Sequence, residues 1–275
     1  MTRPPPSRFP LDLGRVHGAT RAAASPMLRP QRLLHHAAQD AQQQQQASVR
    51  HAPAGLGLDS AAVRARMVQR LRADGVRCEP VLHAFAQVER HRFVDTALAN
   101  QAYEDTSLPI GSQQTISKPS VVARMLALLF EGEHARRQGD LGRVLEIGTG
   151  CGYQAALLTM LSRSVVSIER LKALHDKARD NLVDHRCGDL RLVYGDGRFG
   201  HAPRAPFNSI VAAAGGDDVP AAWLDQLAVG GRLIAPTHDA ERGGQVLLVI
   251  DKQDGGVVRQ WHDAVHFVPL QSGAA

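Results

Sequence analysis

The feature that most constrains the fold is an alternation of short apolar segments with stretches of helical period. Apolar segments of strand length occur near residues 143–147, 165–169, 190–194, 207–213, 231–235 and 245–250, and helix-like stretches follow the first three. Strands that alternate with helices are joined by crossover connections, which favours a parallel sheet covered by helices on both faces. We therefore predict an α/β fold with a doubly wound, mostly parallel sheet.

The chain before this alternation predicts additional helices. Apolar residues follow a helical period over residues 58–72, a short helix is expected over residues 79–88, and a strongly amphipathic helix over residues 119–131. Residues 101–117 show no clear period. We therefore expect residues 56–275 to form one domain, in which residues 56–120 are a helical N-terminal addition and residues 121–275 are the α/β core.

Residues 1–55 differ from the rest in composition. They combine a proline run, scattered arginines and a glutamine run, without a sustained apolar period, which predicts a disordered, low-complexity basic tail. An Arg-rich, acid-poor start is also typical of an organelle transit peptide, and this alternative stays open. The whole net charge of +5 lies in this tail. Because nucleic-acid enzymes carry positive charge on the folded domain, a nucleic-acid partner is not expected.

Other site classes find little support in the sequence. No apolar run reaches the ~20 residues needed to span a bilayer, so a membrane partner is not expected. The three cysteines are far apart and form no CxxC, which argues against a disulfide framework and a zinc ribbon. His262 and His266 have a ligand-like spacing but lie in a segment that reads as strand, so we expect no metal site. A cytoplasmic location fits this composition.

A glycine-rich loop follows the first predicted strand, at residues 144–152 (VLEIGTGCG). Glu146 precedes its first glycine by two residues, where a carboxylate can orient the loop and face a cation. Glu169 ends the next strand, 21 residues after Gly148, a distance at which an acidic side chain accepts hydrogen bonds from ribose hydroxyls. Asp196 follows the strand after that and could reach an adenine amino group.

These acidic side chains describe a nucleoside with a positive centre. S-adenosylmethionine combines adenine, ribose and a sulfonium cation and has no phosphate, so it matches the pattern. Residues 144–152 also resemble the first motif of class I methyltransferases. Two alternatives stay open for this loop: an NAD site, and a glycine turn that serves only the packing of helix on sheet.

The acceptor must then become reactive toward a methyl group. An adenine N6 enzyme would carry an Asn/Asp-Pro-Pro-aromatic run after the fourth strand, where residues 212–216 read AAAGG, and no catalytic base is evident. A carboxylate needs no base, because with a pKa of about 4 it is ionised at neutral pH. Ser117 precedes Lys118 and Pro119 at a helix start, where hydroxyl and helix dipole favour an anion. Alternatively, Ser117 merely caps the helix and Thr115 packs the turn.

Three segments together resemble the protein-L-isoaspartate O-methyltransferase family: residues 103–111, residues 114–119 and residues 144–150. Supporting segments lie at residues 90–94, 195–197, 205–207, 230–233 and 267–270, so the resemblance covers about residues 60 to 270. It implies a Rossmann-like methyltransferase sheet and S-adenosyl-L-methionine as cofactor. It also implies methylation of the free carboxylate of L-isoaspartyl residues in damaged proteins and peptides by a repair enzyme. We expect this enzyme to be a monomer.

Carried over by position, the resemblance implies a set of site residues. Ser117 would be catalytic, and Ile110, Thr115 and Ser117 would bind the substrate. The cofactor contacts would be Glu146, Gly148, Thr149, Gly150, Gly152, Glu169, Asp196 and Gly197. Two other functions stay open: a methyltransferase of the same fold that acts on another carboxylate or a small molecule, and a module that binds cofactor and isoaspartyl peptides without turnover.

Several positions depart from the family pattern. Gln113 stands where a glycine is usual, which matters if the turn needs a positive φ. The other departures are Ser120, Asn208, Ala213, Arg198, His201, Thr237 and His238. We expect all of them to cluster near the pocket.

Overall fold

The computed structural model describes residues 61–185, 188–239 and 243–275, and the tail predicted for residues 1–55 lies outside this range. The helices are α1 (Ala61–Ala73), α2 (Glu79–Gln87), α3 (Pro119–Phe130), α4 (Glu133–Gln138), α5 (Tyr153–Leu161), α6 (Lys172–Leu182) and α7 (Ala221–Gln226). The strands are β1 (Leu108–Gly111), β2 (Gln114–Ile116), β3 (Arg143–Ile147), β4 (Ser164–Glu169), β5 (Asp189–Tyr194), β6 (Phe207–Ala212), β7 (Leu227–Asp239), β8 (Gly244–Gln253) and β9 (Gly256–Val265). Strands β1 and β2 form a separate hairpin.

The central sheet has the strand order β5-β4-β3-β6-β7-β8-β9. Strands β3 to β7 run parallel, whereas β8 is antiparallel to both of its neighbours. The doubly wound, mostly parallel sheet is therefore confirmed. The chain runs outward from β3 through β4 and β5, then returns to the other side of β3 with β6. This reversal opens a crevice at the carboxyl ends of β3 and β6, where α/β proteins bind ligands.

Both faces of the sheet are covered, which explains why its central strands are continuous apolar runs. Val144 and Val165 pack into one hydrophobic cluster, and their chain neighbours Leu145 and Val166 pack into the other. Successive side chains of a strand point to opposite faces, so each strand contributes to both clusters. In the described part of the chain, no helix is long and apolar enough to cross a membrane.

Two local predictions were wrong. The stretch after β5 is not an α-helix but two short 3-10 turns, Gly197–Phe199 and Ala202–Arg204. Glycines and prolines interrupt this stretch, and Gly200 has a φ of 61°, which an α-helix does not allow. The N-terminal addition is not purely helical either, because residues 108–116 form the β1–β2 hairpin. Its strands are too short for the alternation of a longer strand to show in the sequence.

Candidate active site

A cleft of about 900 Å³, including its open side, lies at the carboxyl ends of β3 and β4. The glycine loop, the β1–β2 hairpin, the start of α3 and the segment after β9 surround it. The predicted site residues that line it are Ile110, Thr115, Ser117, Gly148, Thr149, Gly150, Glu169 and Gly197. The fold therefore brings both predicted halves of the site, cofactor loop and acceptor segment, into one cleft.

The glycine loop has the backbone that its sequence predicts. Gly148 and Gly150 have φ angles of 89° and 56°, in the left-handed region that favours glycine. The Gly148 N–H donates to the Ile168 carbonyl at 2.9 Å, which turns the loop back toward β4. The Thr149 hydroxyl is 2.6 Å from the Ser167 hydroxyl, also on β4. The loop is thus fixed to the neighbouring strand and keeps an open surface toward the cleft.

Glu169 joins the glycine loop to the end of β4. Its side chain is 5% exposed and lines the cleft. One carboxylate oxygen accepts a hydrogen bond from the Gly150 N–H and the other from the Leu171 N–H, each at 2.9 Å. A carboxylate oxygen can accept more than one hydrogen bond, so Glu169 retains capacity for hydroxyl donors in the cleft.

Glu146 is fully buried beneath the loop and does not line the cleft. One of its carboxylate oxygens accepts a hydrogen bond from the Ser167 hydroxyl, and the other has no partner among the described residues. Burial raises the pKa of Glu146 to about 8, against the hydrogen bond from Ser167 and with the charge of Glu169 adding to the rise. A cation bound nearby would favour the ionised carboxylate.

Gly152 and Asp196 shape the site without lining it. A Cβ on Gly152 would lie 2.8 Å from Leu182 Cδ1, so this glycine lets α5 pack closely on α6. Asp196 accepts hydrogen bonds from the Arg198 N–H at 2.9 Å and from the Gly273 N–H at 2.7 Å. Its carboxylate therefore ties the turn after β5 to the C-terminal segment.

The C-terminal segment was missing from the predicted site. Val268, Pro269, Leu270 and Gln271 line the cleft. The Gly215 N–H donates to the Val268 carbonyl, and the Leu270 N–H donates to the Gly215 carbonyl, which fixes the segment beside the loop after β6. Residues 267–270 are one of the segments that resemble the family, and this resemblance was the sequence signal that could have placed them in the site.

The β1–β2 hairpin places the acceptor segment against the glycine loop. A Cβ on Gly150 would lie 3.3 Å from Ile110 Cδ1, and the Lys177 ammonium donates to the Ile110 carbonyl at 3.0 Å. The hairpin turns through Ser112 and Gln113, whose φ angles are 51° and 58°. The turn at Gln113 does need a positive φ, so the glycine that is usual there would be less strained.

Ser117 is half-buried and lines the cleft directly before α3. Its hydroxyl makes no hydrogen bond to the described residues, and the N-cap position of α3 is occupied by Lys118. Asp105 satisfies the helix start instead, accepting from the Ser120 N–H at 2.8 Å and the Ser120 hydroxyl at 2.7 Å. The alternative in which Ser117 merely caps the helix is therefore not supported.

The positions that depart from the family pattern differ in whether they line the cleft. Ala213 lines the cleft beside Gly148, whereas Gln113, Ser120, Asn208, Arg198 and His201 do not. Asn208, for example, accepts from the Arg143 N–H at 2.9 Å, at the start of β3 and away from the ligand end. In the described parts of the chain, no group of three or more His, Cys, Asp or Glu side chains could hold a metal ion.

Known proteins of one family are similar to this chain. The family model of Protein-L-isoaspartate(D-aspartate) O-methyltransferase matches residues 62–275. The chain belongs to this family. A protein-L-isoaspartate O-methyltransferase of Methylibium petroleiphilum is 61% identical over 272 residues, covering 98% of this chain and 97% of that protein. A protein of the same name from Leptothrix cholodnii is 65% identical over 225 residues, covering 81% of this chain and 78% of that protein.

Solved structures of protein-L-isoaspartate O-methyltransferases share the fold. One has a TM-score of 0.66 at 27% identity, and the match covers 75% of this chain and 65% of that one. A second, a putative enzyme of this kind from Plasmodium falciparum in complex with S-adenosyl-L-homocysteine, has a TM-score of 0.63 at 22% identity. The match covers 75% of this chain and 97% of that one. The second likeness concerns the fold alone.

Proposed function

We infer that this protein-L-isoaspartate O-methyltransferase transfers a methyl group from S-adenosylmethionine to the free carboxylate of L-isoaspartyl residues in damaged proteins and peptides. Family membership supports the reaction and the cofactor. The structural observation that carries the proposal is the Ser117 hydroxyl, which has no hydrogen-bond partner in the part of the chain that the structure describes and shares one cleft with the glycine loop and Glu169.

The residues of the cleft fit this cofactor. Glu169 can accept from ribose hydroxyls, and the unpartnered oxygen of Glu146 suits a cation. Arg170 is the basic side chain that lines the described cleft, and its guanidinium already donates to the Gly273 carbonyl and to Gln271 Oε1, each at 2.9 Å. Membership of the family favours S-adenosylmethionine over NAD for this cleft. We propose that Gly148, Thr149, Gly150, Glu169 and Gly197 contact the cofactor, and that Glu146, Gly152 and Asp196 shape its site from outside the cleft.

The acceptor side needs orientation and not a base. When bound, S-adenosylmethionine supplies a methyl group activated by its sulfonium. An isoaspartyl carboxylate is ionised at neutral pH, so the chain has only to hold it in line, with water excluded. We propose that the Ser117 hydroxyl donates a hydrogen bond to this carboxylate, with Ile110 and Thr115 forming the substrate surface. Asp105 already occupies the start of α3, so the helix dipole contributes less than the hydroxyl.

The methyl ester that forms reacts more readily than the free carboxylate, because its methoxy group can leave as methanol. The neighbouring backbone nitrogen can then give up its proton, attack the ester carbonyl and close a succinimide as methanol departs, and water opens this ring in part to normal aspartate. The enzyme is needed only for the first of these steps.

We also propose that residues 56–275 act as one monomeric methyltransferase domain in the cytoplasm, without nucleic-acid or membrane partners. In this domain residues 56–120 would supply the acceptor side and residues 121–275 the cofactor side. The match of the family model to residues 62–275 supports these bounds. Residues 1–55 would then not be needed for activity.

Transfer of a labelled methyl group to two matched peptides tests the function. One peptide carries isoaspartate and the other normal aspartate at the same position. We expect base-labile label on the isoaspartyl peptide alone. Label on neither peptide, with cofactor still bound, would favour the alternative acceptor or a binding role without turnover.

Substitution of Ser117 tests the proposed mechanism. We expect Ser117→Ala to lower kcat by about 10- to 100-fold, because a hydrogen bond to a charged group is worth ~1.5–3 kcal/mol. Cofactor affinity by calorimetry should change less than twofold. Ser107→Ala, an exposed serine just before β1, is the matched control. Equal losses of transfer and cofactor binding in Ser117→Ala would contradict the proposed role.

A further inference from the structure

Arg90 is a fully buried cation beside the acceptor half of the site, in the 3-10 turn Arg90–Phe93. It makes no ion pair with a carboxylate of the described residues. Its guanidinium instead donates to backbone carbonyls: Nε to Ala102 and Nη2 to Ser117, both at 2.8 Å, with Thr106 more distant at 3.5 Å. Arg90 therefore holds together the segment before β1 and the residue that precedes α3.

The same guanidinium also contacts the cofactor half. Its Cζ atom lies 4.9 Å from the centre of the Tyr153 ring, and Tyr153 is the first residue of α5, directly after the glycine loop. Tyr153 lines the cleft. Arg90 Nη1 and the Tyr153 hydroxyl are buried and have no hydrogen-bond partner among the described residues. One side chain thus connects Ser117 with the helix that follows the cofactor loop.

Packing alone does not account for this arginine. A buried charge without an ionic partner is costly, and an apolar side chain of similar volume would fill the space without that cost. What the guanidinium adds is a rigid, planar set of donors with fixed directions. Because a peptide unit is planar, a fixed Ser117 carbonyl also fixes the plane that leads into Lys118 and α3.

We propose that Arg90 is a positioning residue for methyl transfer, which orients Ser117 through its carbonyl and sets it against the cofactor loop. Arg90 neither gives nor takes a proton in the reaction, and its buried positive charge favours an anionic acceptor in the adjoining cleft. The inference rests on the proposed role of Ser117.

A double-mutant cycle tests the proposal. kcat and KM for an isoaspartyl peptide, and cofactor affinity by calorimetry, are measured for the wild type, Arg90→Lys, Ser117→Ala and the double variant. Lysine keeps the charge but cannot hold two carbonyls in fixed directions, so kcat should fall about 10-fold with cofactor affinity within threefold. The double variant should be no slower than Ser117→Ala alone, because Arg90 acts through Ser117.

Arg92→Lys is the matched control. Arg92 lies in the same turn, and its side chain donates to Asp184 at 3.1 Å, outside the cleft. It should retain wild-type kcat. Chemical rescue adds a second readout: guanidinium ion should raise the kcat of Arg90→Gly and leave the kcat of Ser117→Ala unchanged.

The outcomes separate this inference from the proposed function. Wild-type activity in Ser117→Ala would refute the role of Ser117 itself. An impaired Ser117→Ala together with a wild-type kcat in Arg90→Lys would refute only the role of Arg90. Losses that multiply in the double variant would show that Arg90 acts independently of Ser117. Failure of Arg90→Lys to fold would make Arg90 a core residue and would also overturn the proposal.

Discussion

The two halves of the cleft are built in different ways. The cofactor half is formed where parallel strands end, and its main contact, Gly150 N–H to Glu169, joins neighbouring strands. The acceptor half is a short hairpin with 3-10 turns, held by side chains that reach across the fold. Arg90 binds the Ser117 carbonyl, 27 residues away, and Lys177 binds the Ile110 carbonyl, 67 residues away.

This difference predicts separable effects of mutation. Pairing of β3 with β4 fixes the cofactor half, so a substitution there should change cofactor affinity and leave the acceptor hairpin in place. The acceptor half depends on a few long side chains, so a substitution there should change methyl transfer more than cofactor affinity. The following predictions run from the largest expected effect to the smallest.

Glu169→Ala should weaken cofactor binding most strongly. It removes the proposed ribose contact and frees the Gly150 N–H, so cofactor affinity should fall about 10- to 100-fold. Calorimetry with S-adenosylmethionine measures this loss, and KM for the peptide at saturating cofactor should change little. Glu169→Gln keeps the side-chain shape and one acceptor oxygen, so its cofactor affinity should lie between those of the wild type and Glu169→Ala. Unchanged affinity in Glu169→Ala would show that the end of β4 is not the ribose site.

Glu146 should make the stability of the cofactor half depend on pH. Its pKa is raised by burial from 4.5 to about 8. Between these two pH values the folded state holds a proton that the unfolded state has lost. The contribution of Glu146 to the free energy of unfolding is therefore complete below pH 4.5 and is lost as the pH rises through about 8. Glu146→Gln cannot ionise, so its free energy of unfolding should fall less than that of the wild type across this window.

Urea unfolding of both proteins without cofactor at pH 5, 7 and 9 measures the difference, which is of order one to a few kcal/mol at 1.36 kcal/mol per pKa unit. The control is Glu104→Gln, an exposed carboxylate that pairs with Arg70 at 3.1 Å. It should keep the wild-type pH dependence. An equal change of the free energy of unfolding with pH in Glu146→Gln and the wild type would contradict the raised pKa.

Gln113→Gly should relax the hairpin of the acceptor half. Gln113 has a φ of 58°, and a side chain in this region costs ~1 kcal/mol, part of which is offset by the greater freedom of glycine in the unfolded chain. A net gain of about 0.5 kcal/mol should raise Tm by roughly 1–2 °C. Gln113→Ala keeps the strained backbone and should show no gain. An equal rise in both variants would argue against strain at this turn.

Much of the fold could be predicted from the sequence. The positions of β3, β4 and β6 were confirmed to within a residue, because fully buried parallel strands are apolar throughout and are bounded by glycine and polar residues. The glycine loop was recognised for a similar reason, since its residues are contiguous. The family and its reaction were confirmed as well. The role of each site residue stays a prediction.

The acceptor half was harder to predict because its signals are weak or distant. The β1–β2 hairpin is too short to show a period, and the turns after β5 have helical composition apart from their glycines and prolines. The sequence indicated Arg90 only as part of the segment 90–94 that resembles the family, because the neighbouring residues in the chain do not distinguish a buried arginine from an exposed one.

The sequence by itself determined the doubly wound sheet, the glycine loop and the acidic side chains at the strand ends, because each depends on residues that lie close together in the chain. Only the tertiary structure decided that the Ser117 hydroxyl has no hydrogen-bond partner within residues 61–185, 188–239 and 243–275, that Arg90 holds the Ser117 carbonyl, and that Gly273 binds Asp196 from 77 residues away. Such contacts form because the sheet places segments that are distant in the chain next to each other, and the local periodicity of a sequence does not predict which segments become neighbours.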